Sequence, residues 1–411
     1  MNYLQLFRAN TRILTFGILL VFFSSFGQTF VVSLYIPSII DHFGISSSLF
    51  STIYALATLL SASTLVFAGR KIDYIPLKRF SLFVVAGIIS ATLLLALSWH
   101  LAVLFVGIYL VRLFGQGLLS HTALTTMSRY FKKARGKAIG IAYLGFPLGE
   151  AVFPVLVAAS IAYVGWRETL GMSALFIAIV LLPLSVFLIR GFSRSGISED
   201  DGNSHSDADK YEGQEARTWS QKQVLGTRWF YIIAPTVFLV GFLQTALFFF
   251  QTFIARENQW TSEWMAGSIV AYALSSFTFS IACGPLIDRF GAKRLFPFIL
   301  IPLAMGLGVL AMGDQLWIAP VYWLLVGFSG GMNAPVTSAL YAEIYGTRSL
   351  GTVRSLFTFV MVLSTAIGPV VYSFFLERGY GFDQIHFGVI AVILVNMLYK
   401  LLSRGYPSDS A

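Results

Sequence analysis

An all-α membrane protein of twelve spanning helices, arranged as two pseudo-symmetric six-helix bundles, is the fold class this sequence predicts. Three observations carry that prediction. The 411 residues are 56% apolar and only 11% charged, with a mean hydropathy of +0.76, whereas a water-soluble chain carries about 25% charge. Apolar runs near the length of about 20 residues that crosses a hydrocarbon core about 30 Å thick recur twelve times. Residues of the first half also return in the second at a nearly constant offset.

Backbone N–H and C=O groups cannot go unpaired in hydrocarbon, so each apolar run reads as a helix. The expected spans are 13–36, 48–68, 80–98, 101–128, 138–163, 168–189, 229–255, 264–284, 295–313, 317–342, 351–376 and 385–402. The first run exceeds the roughly 7 to 15 residues of a signal-peptide core and has no small-residue cleavage pattern behind it, so it counts as helix 1. Connections as short as 98–100 and 314–315 make their flanking helices antiparallel neighbours.

Charge sets the orientation. Placing both termini in the cytoplasm puts 24 of the 28 Lys and Arg residues on that side, leaving only Arg167, Arg256 and Arg378 opposite and Arg112 inside helix 4. Short cytoplasmic loops are the cation-rich ones, which makes the expected location the inner (plasma) membrane. The net charge of +9 is thereby explained by a lipid bilayer and not by nucleic acid. A single cysteine, Cys283, lies in an apolar run and reads as a structural thiol; no intrachain disulfide and no thiolate metal site are expected.

The long polar stretch between the halves contains SEDDGNSHSDADKYEGQE and 7 of the 19 acidic residues. Its composition reads as a cytoplasmic linker loop, 191–228, between an N-terminal bundle, 1–190, and a C-terminal bundle, 229–411. The halves repeat at an offset of 215: Gly69 and Asp73 fall on Gly284 and Asp288, Lys78 and Arg79 on Lys293 and Arg294, Gly136 on Gly351, and Pro154 on Pro369. At an offset of 216, Gln28 and Thr29 fall on Gln244 and Thr245. Two halves related by an axis along the membrane normal imply a closable cavity between them near the midplane.

The segment GPLIDRFGAKR, Gly284 to Arg294, resembles the loop signature of the major facilitator superfamily, with Gly284, Asp288 and Gly291 followed by Lys293 and Arg294. Its first copy, GRKIDYIPLKR, keeps Gly69, Asp73 and Lys78 but has Pro76 where the second glycine is expected. RLFGQG in helix 4 and GFPLGE in helix 5 are similar to the family's patterns there. The junction AEIYGTRSLGTVRS resembles the monocarboxylate and oxalate:formate porter branch. The resemblance implies a twelve-helix secondary transporter whose helices 1, 4, 7 and 10 line the cavity. It also implies a conformational latch at Gly69, Asp73, Lys78, Gly284, Asp288, Arg289, Gly291 and Lys293. Physically, the glycines let helices close up while the carboxylates meet a helix N-terminus or an Arg of the other half; the plainer alternative is a charged turn that anchors a loop in water.

Ionisable groups deep in a bilayer cost about 2.5 to 3.5 kcal/mol each and demand an explanation. Arg112 and Glu150 both fall near the midplane, where they can pair: Glu150 is the proton-coupling candidate, and the alternative is a permanent ion pair that sets helix register. On a regular helix 1, Ser24, Gln28 and Tyr35 share one stripe, and helix 7 repeats it with Gln244 and Gln251. Tyr143 shares the Glu150 stripe, and Asn333 aligns with Thr337 and Tyr341. The expected cavity set is therefore Gln28, Tyr35, Arg112, Gln116, Gln244, Gln251 and Asn333. His121 reads as a hydrogen-bonded, packed histidine and the run Phe248 to Phe250 as lipid-facing bulk.

No phosphate loop and no HExxH or paired Cys/His ligand set appears, so neither an enzyme nor an ATP-driven pump is expected, and no cofactor or metal. What remains is a monomeric, gradient-driven carrier of a small organic solute, a monocarboxylate or other organic anion, with a proton or other coupling ion. The rivals are an efflux carrier of amphipathic compounds and a non-transporting membrane sensor on the same fold. The orientation is checked by replacing Cys283 with Ser and introducing Ser204→Cys in the linker. A membrane-impermeant maleimide is expected to label inside-out vesicles and to leave right-side-out vesicles unlabelled.

Overall fold

The computed structural model describes residues 3–131, 134–190, 219–346 and 350–403. Ten helices among them are long and apolar enough to cross a membrane, and the bent pair Thr11–Gly27 and Thr29–Phe43 makes an eleventh. Ile318–Tyr345 is long enough at 28 residues but less apolar, being diluted by residues such as Ser329 and Asn333, and it takes the tenth place in a chain order of twelve. In chain order, helix 1 is the bent pair. Helices 2 to 6 are Ser47–Arg70, Leu77–Ala96, Leu101–Tyr130, Lys137–Val164 and Trp166–Ile189. Helix 7 runs Arg228–Phe249 and, after a break at Phe250, Gln251–Glu257. Helices 8 to 12 are Ser262–Phe290, Ala292–Leu310, Ile318–Tyr345, Leu350–Glu377 and Phe382–Ser403. Hydroxyl caps begin several of them: Ser46 Oγ accepts from Leu49 N at 3.1 Å and Thr261 Oγ1 from Trp264 N at 3.1 Å, satisfying first-turn donors that have no partner inside the helix.

Helix 1 departs from the regular helix expected over 13–36. It tightens to a 3-10 turn at Ser24–Gly27, passes through an extended Gln28 (φ −83°, ψ 153°), and resumes at Thr29 bent by 43°. Opposite this break, helix 4 widens into π geometry over Arg112–Leu119. Backbone touches backbone here. A Cβ on Gly27 would lie 2.6 Å from Val111 O and closer still to Gln116 N, and one on Gly115 would lie 2.7 Å from Gly27 Cα. Only glycine fits on either side of that crossing.

The two halves pack through equivalent crossings. Helix 5 meets helix 1 where a Cβ on Gly149 would collide with Ser25 Oγ; helix 11 meets helix 7 where a Cβ on Gly241 would collide with Ser364 Oγ. Ser25 corresponds to Gly241 and Gly149 to Ser364 in the sequence repeat, so the small and hydroxyl partners have changed places. Between the halves, helix 2 packs on helix 11, helix 5 on helix 8 and helix 1 on helix 7.

The linker reading needs one correction. Residues 191–218 lie outside the described residues, but 219–228 are structured: Gln221–Leu225 is a short helix with a full Ser220/Gln223 capping box. Val224 is buried, Trp219 meets Tyr345 edge-on, and Gln221 Nε2 donates to Ser355 Oγ at 3.3 Å. One buried valine and two aromatic or amide contacts thus fasten this end of the linker to helices 10 and 11. Helix 8 also runs on to Phe290 instead of ending near 284, and Gly291 then turns the chain at φ 78°, a conformation that L side chains rarely adopt. In the first copy, helix 2 gives way to a 3-10 turn at Lys71–Asp73, so the chain turns before Pro76 and no left-handed residue is needed there.

Gly115→Leu is expected to force helices 1 and 4 apart at a cost of about 1 to 3 kcal/mol or more. The check is the melting temperature of the detergent-purified protein, which should fall by several degrees, about 4 to 8 °C per kcal/mol being the upper scale set by small domains.

Candidate functional site

Where the break in helix 1 faces helix 4, the halves enclose a cavity of about 330 Å³. Gln28, Thr29 and Phe30 of helix 1, Arg112 and Gln116 of helix 4, and Tyr143, Phe146 and Glu150 of helix 5 form its N-terminal wall. Gln244, Thr245 and Phe248 of helix 7, Tyr272 of helix 8 and Thr365 of helix 11 form the other. Both members of the repeated Gln-Thr pair are therefore in the lining, and every charged group of the lining belongs to the N-terminal half.

Arg112 is buried and is the hinge pin of that wall. Its Nη1 donates to Gly27 O at 3.0 Å and to Thr29 Oγ1 at 3.3 Å, and its guanidinium carbon lies 5.1 Å from the centroid of the Tyr54 ring. Tyr54 OH and Thr29 Oγ1 share a further bond of 2.7 Å. The extended Gln28 interrupts the helix-1 ladder, and the charged donor from helix 4 meets the carbonyl on one side of it and a hydroxyl on the other. Nη2 makes no hydrogen bond to the described residues, which leaves it for whatever occupies the cavity.

The expected ion pair is not formed. No Arg112 nitrogen lies within salt-bridge distance of Glu150, because the guanidinium is turned onto the helix-1 break and the Tyr54 ring. Glu150 lines the cavity with neither an ion-pair nor a hydrogen-bond partner among the described residues. Gln244 Nε2 is likewise buried without a partner, within 2.6 Å of where a Cβ on Gly330 would sit.

Tyr35, Gln251 and Asn333 do not line the cavity. The break in helix 1 destroys the stripe that linked Ser24, Gln28 and Tyr35: Ser24 Oγ donates to Val21 O at 2.6 Å, and Tyr35 is buried beyond the break. Gln251 lies past the corresponding break at Phe250 and reaches across to helix 1, its Nε2 donating to Phe30 O at 3.0 Å and to Ser33 Oγ at 2.7 Å. Asn333 on helix 10 is not in the lining: its backbone carbonyl accepts from Thr337 Oγ1 at 2.6 Å and its Oδ1 is buried without a partner among the described residues, while the Tyr341 ring stacks on Phe357 at 4.6 Å. The Phe248 to Phe250 run faces inward and not toward lipid: Phe249 and Phe250 are fully buried, and Phe248 lies in the cavity wall against Phe30 at 5.9 Å and Trp323 at 4.5 Å. Sequence reasoning missed these rings because three consecutive phenylalanines have no helical period.

The cavity is sealed on the face away from the termini. Besides Gln251, Ser51 Oγ and Ser373 Oγ are 2.6 Å apart across helices 2 and 11, and Phe249 packs on Phe50 at 6.0 Å and Tyr54 at 5.2 Å. The signature residues lie on the basic face. Asp288 and Lys78 are exposed, Arg289 lies over the neighbouring Phe290 ring, and Lys293 lies over Trp229 of its own half. A Cβ on Gly284 would touch nothing within 4 Å, so that glycine closes up on no helix here, whereas Gly69 packs on His121, whose Nε2 lies 3.2 Å from Gly69 O. The side chain of Asp73 lies outside the described residues. Two charged residues missed in the sequence do hold these loops: Arg129 Nη1 donates to Ile72 O at 3.0 Å, and Glu343 accepts from Ala292 N at 2.6 Å and Lys293 N at 3.2 Å.

A broken first helix, a cavity between two halves and a seal on one face belong to a multi-pass membrane protein of two facing helical bundles. The chain belongs to the Major Facilitator Superfamily, whose family model matches residues 17–271 and again 233–411. The Multidrug resistance protein B homolog of Mycobacterium tuberculosis (strain H37Rv) is 27% identical over 165 residues, 39% of this chain and 30% of that protein. The match thus spans less than a third of that relative's length. The Riboflavin transporter MCH5 of Saccharomyces cerevisiae is 23% identical over 418 residues, covering 96% of this chain and 78% of that one. Among solved structures, the nucleoside transporter NupG superposes with a TM-score of 0.67 at 12% identity, over 99% of this chain and 100% of that one. A bacterial homolog of the human lysosomal transporter Spinster, inward-facing and occupied, gives 0.71 at 13% identity, over 98% and 99%. These two likenesses are of fold. The porter branch expected from the helix 10 to 11 junction finds no support among them.

Gln251→Leu removes two bonds between the halves at about 0.6 kcal/mol each, which shifts the balance between sealed and open about eightfold. Spin labels on Leu49→Cys and Glu377→Cys, in a Cys283→Ser background, are expected to gain a longer-distance population in that variant.

Proposed function

We propose that this protein is a secondary active carrier that moves a small organic solute with an anionic group, such as a monocarboxylate, together with a proton. The reading places the cation-rich face in the cytoplasm of the inner membrane, so the seal at Gln251, Ser51 and Ser373 is the outer gate and the cavity faces inward. Access alternates as the two halves rock about the cavity. In the other half of the cycle the Asp73 and Asp288 segments are brought together to close the cytoplasmic side.

The observation that supports coupling is that Arg112 and Glu150 share one cavity without pairing. With Glu150 ionised, the cavity already holds one charge of each sign, and an added anion leaves it with a net negative charge in a medium where net charge is costly. With Glu150 protonated, the guanidinium stands alone and an anion restores neutrality. Proton and anion therefore favour each other's binding, and a carrier that rocks only in the neutral state moves them together. The free Nη2 of Arg112 is the donor offered to the anion, and the amides of Gln28, Gln116 and Gln244 supply further hydrogen bonds.

One observation favours a second reading. Five aromatic rings, Phe30, Tyr143, Phe146, Phe248 and Tyr272, line the same cavity as the unpaired Glu150. That setting also suits an amphipathic cation, which would sit over the rings and against the carboxylate, and would make the protein an efflux carrier.

Flux in proteoliposomes separates these readings. Uptake of small carboxylates driven by an inward pH step is expected, Glu150→Gln should abolish accumulation against a gradient while counterflow exchange persists, and Arg112→Lys should lose at least about tenfold in transport, about 1.4 kcal/mol, because Lys lacks the planar fork. Extrusion of a cationic dye with no carboxylate flux would replace the first reading by the second. Absence of any flux would sink both in favour of a sensor.

A further inference from the structure

A second cavity lies outside the path between the halves. It is a groove of about 470 Å³ on the C-terminal half, floored by Phe238 and Phe242 of helix 7 and walled by Tyr372 and Phe375 of helix 11 and by Gly388 and Val392 of helix 12. Helices 11 and 12 are consecutive in the chain but part from one another here, and the gap opens sideways. It is continuous with the lipid-facing surface of helix 12, where Phe387, Val392, Leu394 and Val395 are exposed.

Three features of the groove specify one kind of occupant. Its walls are apolar almost throughout; Tyr380 and Gln384 stand at the helix 11 to 12 turn, and the one deeper polar side chain of the lining is Tyr372, whose hydroxyl is buried. From Gln384 to Val392, helix 12 rises about 12 Å, close to the half-thickness of a core about 30 Å across; the groove is thus as deep as one leaflet. At the polar end stands Arg378, one of only three cations on that face, exposed and lying with its guanidinium carbon 3.3 Å from the Phe374 ring centroid. An interfacial tyrosine, an amide and a cation above a leaflet-deep apolar slot match a phospholipid, phosphate above and acyl chain below.

We propose that this groove is a phospholipid site of the gate-side leaflet, taking one acyl chain between helices 11 and 12 with the phosphate at Arg378. Its inner wall bears on the outer gate. Tyr372 stacks on Phe250 at 5.9 Å, and Phe250 is the break residue of helix 7 immediately before Gln251. A chain seated in the groove supports Tyr372 from the lipid side and so holds that break in its sealed geometry.

Native mass spectrometry of the full-length, detergent-purified protein with added dioleoylphosphatidylglycerol tests the site. The wild type is expected to retain one lipid that survives activation. A Cβ on Gly388 would meet nothing within 4 Å, so Gly388→Trp fills the groove without a backbone clash and should lose that adduct; Gly388→Leu is the milder version should the tryptophan variant fold poorly, as judged by its melting curve without lipid. Arg378→Gln should weaken the adduct about fivefold, the share of one cation near the membrane surface, and oleic acid should compete less well than the phospholipid. An undiminished adduct in both Gly388 variants would overturn the groove as the site. Unchanged binding in Arg378→Gln together with equal competition by oleic acid would overturn the phospholipid assignment.

Discussion

The architecture turns on one bond, from Arg112 Nη1 to the carbonyl of Gly27. A helix broken in mid-membrane exposes backbone groups that cost several kcal/mol apiece if nothing meets them. The guanidinium meets that carbonyl, bonds Thr29 beyond the extended residue, and is itself sheltered by the Tyr54 ring. Break and charge therefore stabilise each other: without the break, the arginine would be an unpaired cation in hydrocarbon, and without the arginine, the break would leave a bare carbonyl. The glycine contact between helices 1 and 4 is what brings them within reach.

This arrangement also explains why the two charged groups of the cavity stay apart. The guanidinium is already committed to the carbonyl of Gly27 and to the Tyr54 ring, and Glu150 is left in the lining beside it without a partner among the described residues. The C-terminal wall contributes amide, hydroxyl and aromatic groups only. Helix 7 accordingly runs unbroken through the cavity, from Arg228 to Phe249, and breaks only at the gate.

Much of the fold was legible in the sequence. Hydropathy located the helices, and the repeat matched Gln28 and Thr29 to Gln244 and Thr245, which face one cavity. Five of the eight expected cavity and coupling residues do line the cavity, Gln28, Arg112, Gln116, Gln244 and Glu150. The misses share one cause. Helical stripes assume an unbroken screw, and both helix 1 and helix 7 break between the residues that the stripe joined, sending Tyr35 into packing and Gln251 into the gate. No local signal for the helix-1 break beyond the run Ser24 to Gln28 exists, since none of those residues is a proline and the break is imposed by helix 4. The Arg112 and Glu150 pairing failed because depth in the membrane was known but the competing carbonyl acceptor was not. The signature loops were found, yet the residues that hold them, Arg129 and Glu343, lie at the far ends of helices 4 and 10, where a charge reads as ordinary loop solvation.

The exchange of Gly and Ser between the crossing of helices 1 and 5 and the crossing of helices 7 and 11 has a consequence of its own. Each crossing holds one hydroxymethyl group, supplied by helix 1 in the first half and by helix 11 in the second. What the two halves have in common at these points is a volume and not a pair of letters. Divergence between the twin lobes can then proceed by trading substituents across a seam, a change that position-by-position comparison scores as two losses although the joint has kept its shape.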